Sequence, residues 1–395
     1  MYLLLLTWSS FLSLPAIAID KLESVARSEG AEVTYYRFPL NHIAYYPEQH
    51  IQSKPQLEHK YGLVNVGIHS ASKSSPIVMG DILYVGSDSG YLYALDKSTF
   101  KVLWKFRIRP QGEYGIHATA AVQNDRVFIG GYDGYLYTLD RFTGELLDQR
   151  KLGGSIGASP VIWHNRLYVG VETPDPDGYL DCVDLETYNR CFDTYWMGDH
   201  THSTPTIDDD TQTVFIGSNN EWFYAFNAMT GELKWKYETG GEIKSTAAIA
   251  GDLVLVTSWD TNLYAFDKRS GEVVWTFAAI QRSMSSPAID IDAQRVYFGS
   301  HDSYLYCVDL KTGQLIWKYL TGEKITSSPA IATADPDNRK VVVVGSADGN
   351  IYWLDAANGS TIYTFATQDR VTSVPLIADG RVYVSGDDGY LYAFR

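Results

Sequence analysis

One stretch of this chain is written several times over, and its clearest copy is residues 299–317, GSHDSYLYCVDLKTGQLIW. Tyr304, Tyr306 and Val308 alternate with Leu305, Cys307 and Asp309, the period of two expected of a strand packed on both faces. Asp309 and Gly313 then supply a turn. Asp hydrogen-bonds the backbone two residues on, Gly accepts positive φ, and residues 314–317 read as the partner strand of a hairpin. The same signature recurs with its anchor at Asp96, Asp140, Asp184, Asn227, Asp267, Asp309 and Asp355, at spacings of 40 to 46 residues.

A second motif precedes each anchor: Ser or Thr, then usually Pro, then a short alternating strand, as in Ser74-Ser75-Pro76, Ala158-Ser159-Pro160, Ser203-Thr204-Pro205, Ser285-Ser286-Pro287 and Ser327-Ser328-Pro329. Four strands per period follow. A period in the low forties with four strands per copy predicts a β-propeller, whose blades bury their faces against one another. Seven complete units are followed by an eighth, residues 371–395, that stops where its anchor Asp should stand. Its outer strand is expected from the N-terminal side, from residues 61–66, closing an all-β ring of eight four-stranded antiparallel blades over residues 61–395.

Composition agrees. Tyr alone numbers 29, which suits strands better than helices, and a formal charge of −15 argues against nucleic acid or an anionic membrane surface as the main partner. Residues 3–14 are an uncharged apolar run too short to span a bilayer, and Ala16-Ile17-Ala18 has the spacing of a signal-peptidase site. Residues 1–18 therefore read as a signal peptide, and a mature protein exported to the periplasm or beyond is expected. No cysteine follows the expected cut to carry a lipid anchor. Residues 19–60 read as a leader packed on the main body, in which Pro39, Pro47 and Pro55 discourage regular structure and His42, His50 and His59 are scattered, solvated histidines.

The pattern G-x-x-D-G-x-L-Y-A-L-D-x-x-T-G-x-x-x-W resembles the pyrroloquinoline-quinone-like propeller repeat. The resemblance implies that the terminal Trp docks between blades, here Trp104, Trp235, Trp275 and Trp317, with Phe192 and Tyr363 as substitutes; blade two departs with Asp148. It also implies two functional classes. One is the quinoprotein dehydrogenases, which hold the quinone (PQQ) and calcium at the centre of one face. The other is scaffold and binding propellers, such as the one in the bacterial β-barrel assembly machinery. With about 43 residues per blade, there is little room for the insertions that build a dehydrogenase pocket. The vicinal cysteine pair seen in several of those enzymes is absent, as is a C-x-x-C-H haem motif. A binding or scaffold module is expected, with a PQQ- and calcium-dependent alcohol or sugar dehydrogenase as the alternative.

In a propeller, the loops entering the innermost strands and those joining second to third strands open on one face. The first set places Lys73, His117, Gly157, His202, Lys244, Met284, Thr326 and Thr372 in one ring; the second adds Asp88, Tyr132, Asn219, Trp259, His301 and Asp387. Lys73, His117, His202, Lys244, Trp259 and His301 are the candidate ligand-binding residues, suited to a protein partner or a small anion, with Trp259 as a stacking surface. A zinc pair of His117 and His202 has no third ligand at a defined spacing, so no metal site is expected. No catalytic constellation can be assigned. Cys182 and Cys191 flank the blade-three turn symmetrically and should face each other within disulfide reach, leaving Cys307 alone.

Overall fold

Most copies of the repeat fold into the same hairpins, because the same turn chemistry recurs. At Asp309, Oδ1 accepts the backbone N–H groups of Lys311 (3.1 Å) and Thr312 (2.9 Å) and the Thr312 hydroxyl (2.8 Å), while Gly313 N–H donates to Asp309 O (2.9 Å). Gly313 has φ +69°, which only glycine adopts without strain. These bonds, led by the one from Thr312, hold the Asp309 carboxyl below the usual carboxylate range. One residue pair before the turn, the register shifts by a β-bulge, between Cys307 and Val308 and at the matching place in five other blades.

In the computed structural model, which describes residues 33–34, 36–37, 40–62, 74–108 and 115–395, these units form eight sheets arranged as an eight-bladed β-propeller. The compact unit runs from Val33 to Arg395. The second and third strands of the blades are largely buried on both faces, and the outer strands alternate exposed with half-buried or buried residues, as in Val102–Arg107. Blade three holds three strands instead of four. Its chain leaves Gly178–Asp184 through the Cys182–Cys191 disulfide, whose Cα atoms are 5.3 Å apart, and meets the sheet again only at the isolated bridges Val183–Arg190 and Tyr179–Trp196.

Two devices lock blade to blade. On the outside, Trp104, Trp235, Trp275 and Trp317 each donate Nε1–H to a backbone carbonyl of the next blade (Arg141, Lys268, Leu310 and Ala356, at 2.9–3.1 Å). Each ring lies flat over the turn glycine of that blade; a Cβ on Gly144, Gly271, Gly313 or Gly359 would meet the indole at 2.5–2.6 Å. Phe192 covers Gly231 in the same way. Where the preceding blade lacks the aromatic, the turn lacks the glycine: behind Asp148 stands Tyr188, whose carbonyl accepts from Arg150 and whose hydroxyl accepts from Arg126 (2.8 Å). On the inside, the second residue of the Ser-Ser-Pro motif links neighbouring inner strands: Ser75 N–H donates to Thr119 Oγ1, Thr119 N–H to Ser159 Oγ, Thr246 N–H to Ser286 Oγ, and Ser286 N–H to Ser328 Oγ, all at 2.8–3.0 Å. Val374 N–H bonds Ser75 Oγ (3.0 Å) and so carries this belt across the closing seam.

An N-terminal strand closes the ring. That strand is Leu57–Tyr61, paired antiparallel with Leu391–Phe394; of the expected residues 61–66, Tyr61 takes part, Gly62 does not, and residues 63–66 lie outside the described residues. His59 stacks on Phe100 (4.9 Å), the blade-one residue that replaces the turn glycine. Upstream, the chain does what its prolines and polarity do not suggest. Val33–Thr34 pairs with the inner strand of blade two. The carbonyls of Asn41, Ile43 and Ala44 accept N–H bonds from the inner strands of blades five, six and seven at 2.8–2.9 Å, and Tyr45–Gln52 runs parallel to Ala330–Asp335. A register shift between Tyr46 and His50 accommodates Pro47. The segment thus crosses the axis of the ring, with the Arg37 guanidinium bonded to the carbonyls of Ser286 (2.9 Å) and Pro287 (2.5 Å). The solvated reading of the histidines is corrected here: His42 is fully buried and His59 is stacked, leaving only His50 exposed, 3.2 Å from Asp335.

Candidate functional site at the channel mouth

Because every blade aims the same repeat positions at the axis, side chains far apart in sequence line one cavity of about 440 Å³. His117, His202, Lys244, Trp259 and His301 all line it. Lys73 lies outside the described residues. The two loop sets are stapled together by backbone bonds of one kind: Trp259 N–H to Glu242 O, His301 N–H to Arg282 O, Ala347 N–H to Lys324 O, Asp387 N–H to Arg370 O, and Asn219 N–H to His200 O, all at 2.8–3.0 Å. The acceptor in each case stands two residues before the ring position read from the sequence. That tier was missed, although its repeat offset is constant, and it carries most of the charge.

Blades five to eight each contribute a cation, namely Lys244, Arg282, Lys324 and Arg370. Lys244 lies over the Trp259 ring at 3.9 Å and the Arg282 guanidinium at 4.1 Å, so the indole holds both through its π face. Lys244 is paired with Glu242 (2.6 Å) and Arg370 with Asp387 (3.2 Å), whose other oxygen accepts from Thr372 (3.0 Å). Arg282 and Lys324 form no ion pair among the described residues. Arg282 Nε–H donates to His301 Nδ1 (3.1 Å), and burial, with Arg282 and Lys324 beside it, lowers the His301 pKa to about 4, so this imidazole is neutral at pH 7.

The opposite side of the mouth, on blades two to four, has another chemistry. His117 packs on Tyr132 (ring centroids 4.3 Å), and burial together with the Glu172 carboxylate raises the Tyr132 phenol pKa. Glu172 faces His202 (Nδ1 to Oε1, 3.1 Å) and His200 (Nδ1 to Oε2, 3.9 Å). The structure groups His202 with Glu172 and His200, neither of which was among the ring positions read from the sequence. Away from the mouth, the acidic turn at residues 208–210 is tied to the next blade, Asp208 and Asp210 standing 3.0 and 3.3 Å from Lys268.

The fold has close relatives in structure. Quinohemoprotein alcohol dehydrogenase from Comamonas testosteroni superposes with a TM-score of 0.78 at 14% identity, covering 96% of this chain and 84% of the other. BamB from Moraxella catarrhalis gives 0.68 at 20% identity, covering 86% of this chain and 97% of the other. Europium-containing methanol dehydrogenase gives 0.74 at 14% identity, covering 95% of this chain and all of the other. At these identities the superpositions establish the propeller alone. In sequence, the outer membrane protein assembly factor BamB of Yersinia pestis is 28% identical over 90 residues, and that alignment spans only 22% of either chain. A family-wide sequence profile reaches further, matching residues 176–336 and 331–395, more than half of the chain. The chain thus belongs to the family described as the outer membrane protein assembly factor BamB.

Proposed function

We propose that this chain is an exported scaffold propeller that docks an acidic segment of a protein partner at the channel mouth, acting on the periplasmic side of an outer membrane. The observation that supports this most is the arc of Lys244, Arg282, Lys324 and Arg370 on four consecutive blades of a chain whose net charge is −15. An acidic partner is repelled by most of such a surface and attracted at one place, so the field selects its orientation as well as its site. Arg282 and Lys324, with no carboxylate to satisfy them, supply the attraction. Membership of a family of outer membrane assembly factors agrees with a scaffold role.

A quinoprotein dehydrogenase would need a calcium site at this mouth. Calcium takes six to eight oxygen ligands. Three carboxylates at this mouth are committed to other partners: Glu172 faces two imidazoles on blades three and four, Glu242 is paired with Lys244, and Asp387 on blade eight with Arg370 and Thr372. These three carboxylates do not fit a calcium-bound quinone.

Titration calorimetry with a Glu- and Asp-rich peptide tests the proposal. Arg282→Ala together with Lys324→Ala should weaken binding by roughly tenfold and flatten its salt dependence, at about 0.5–1 kcal/mol per partly exposed cation. Equal affinities for the double variant and the parent would refute it.

A further inference from the structure

We infer that Glu172, His200 and His202 form a binding site for one zinc-class divalent ion at the seam between blades three and four. Each residue offers one ligand atom, and the three atoms lie within 4.8 Å of one another, the one such group among the described residues. Donors on a tetrahedral zinc at its usual bond lengths stand roughly 3.3 Å apart, close to the 3.1 Å from His202 Nδ1 to Glu172 Oε1; His200 Nδ1 stands 3.9 Å from the other oxygen, Oε2.

The backbone builds the group without help from an ion. His200 and His202 are two apart on the extended entry to the inner strand of blade four, so their side chains share a face. Thr201 between them points the other way and donates Oγ1–H to Gly217 O (2.7 Å). Asn219 N–H holds the His200 carbonyl at 2.9 Å, and Glu172, the last residue of the strand Arg166–Glu172, exchanges backbone bonds with Ser155 (3.0 and 3.1 Å). Gly157 leaves space beside the carboxylate; a Cβ there would stand 3.1 Å from Oε1 and 3.0 Å from the Tyr132 hydroxyl.

Two observations call for an ion in that space. Glu172 is only 5% exposed and has no Lys or Arg partner among the described residues, whereas a buried carboxylate requires a counter-charge. Glu172 Oε1, one of the group's buried ligand atoms, also lacks a hydrogen bond, although His202 Nδ1 is 3.1 Å away. Two imidazoles and one carboxylate suit zinc and its neighbours, not calcium or magnesium. His202 and Gly157 line the channel, so a fourth ligand, water or a partner's donor atom, would come from the cavity.

Calorimetric titration of the chelator-stripped full chain should show one Zn²⁺ per chain, untouched by millimolar Ca²⁺. Glu172→Gln and His200→Ala should each weaken binding at least tenfold, while His164→Ala, an exposed histidine stacked on Trp163, should not. No uptake by the parent, or unchanged affinity in both variants, would overturn the site. Should the variants misfold, Co²⁺ added to the parent decides: intense tetrahedral visible bands support the site, and the weak spectrum of the aqueous ion refutes it. Arg282→Ala with Lys324→Ala should retain zinc binding, which separates this test from that of peptide docking.

Discussion

His42 makes the segment that crosses the ring sensitive to acid. It is fully buried, between Asn41 and Ile43, whose carbonyls are bonded to blades five and six. Burial, and then the nearby Arg37 guanidinium, lowers its pKa from 6.5 to about 3. The folded pKa lies below the unfolded one, so as pH falls the unfolded chain takes up the proton first. The stability this neutral imidazole contributes is therefore complete above about pH 6.5 and is lost progressively toward pH 3. One proton corresponds to about 1.4 kcal/mol per pH unit, hence about 2 kcal/mol lost between pH 7 and pH 5. Urea unfolding of the parent and of His42→Leu at both pH values measures it. The parent should lose about 2 kcal/mol more than the variant; His301, which titrates in the same range, is present in both and cancels. Equal losses in the two proteins would show that His42 is not held neutral by burial.

Trp275→Ala should cost about 3–5 kcal/mol, since it empties a buried interblade site and orphans the Leu310 carbonyl, whereas Leu147→Ala on an exposed outer strand should stay within about 0.5 kcal/mol. Gly313→Ala should destabilise through the same seam, as its new methyl would strike the Trp275 ring in a backbone with φ +69°; chemical denaturation of the three variants checks the order. Thiol titration of the denatured, unreduced protein should find one thiol, that of Cys307, and reduction of Cys182–Cys191 should lower stability by about 2–3 kcal/mol at most, as expected for so short a loop.

What the sequence determined by itself is what depends on local chemistry repeated in phase. The Asp-to-Gly turn, the two-residue alternation and the period of 40 to 46 residues are set by bonds within a few residues, so each was legible, and with them the blade. The rotational symmetry of the ring made part of the mouth legible too: equal positions in successive repeats must meet at the axis, which is how His117, His202, Lys244, Trp259 and His301 come together. Glu172 holds the same repeat position as Trp259 and His301, but the insertion that begins there hid it. Arg282, Lys324 and Arg370 stand two residues outside the ring that was read. The path of residues 33–52 had no local signature at all. Its strand Tyr45–Gln52 carries a proline, and its partners are inner strands some 280 residues away in sequence. Only the closed ring supplies the backbone groups that this segment satisfies, the burial that keeps His42 neutral and the seam that sets Glu172 against His200 and His202. Non-local pairing of this kind depends on the assembled surface and not on any stretch of chain, which is why tertiary structure alone decided it.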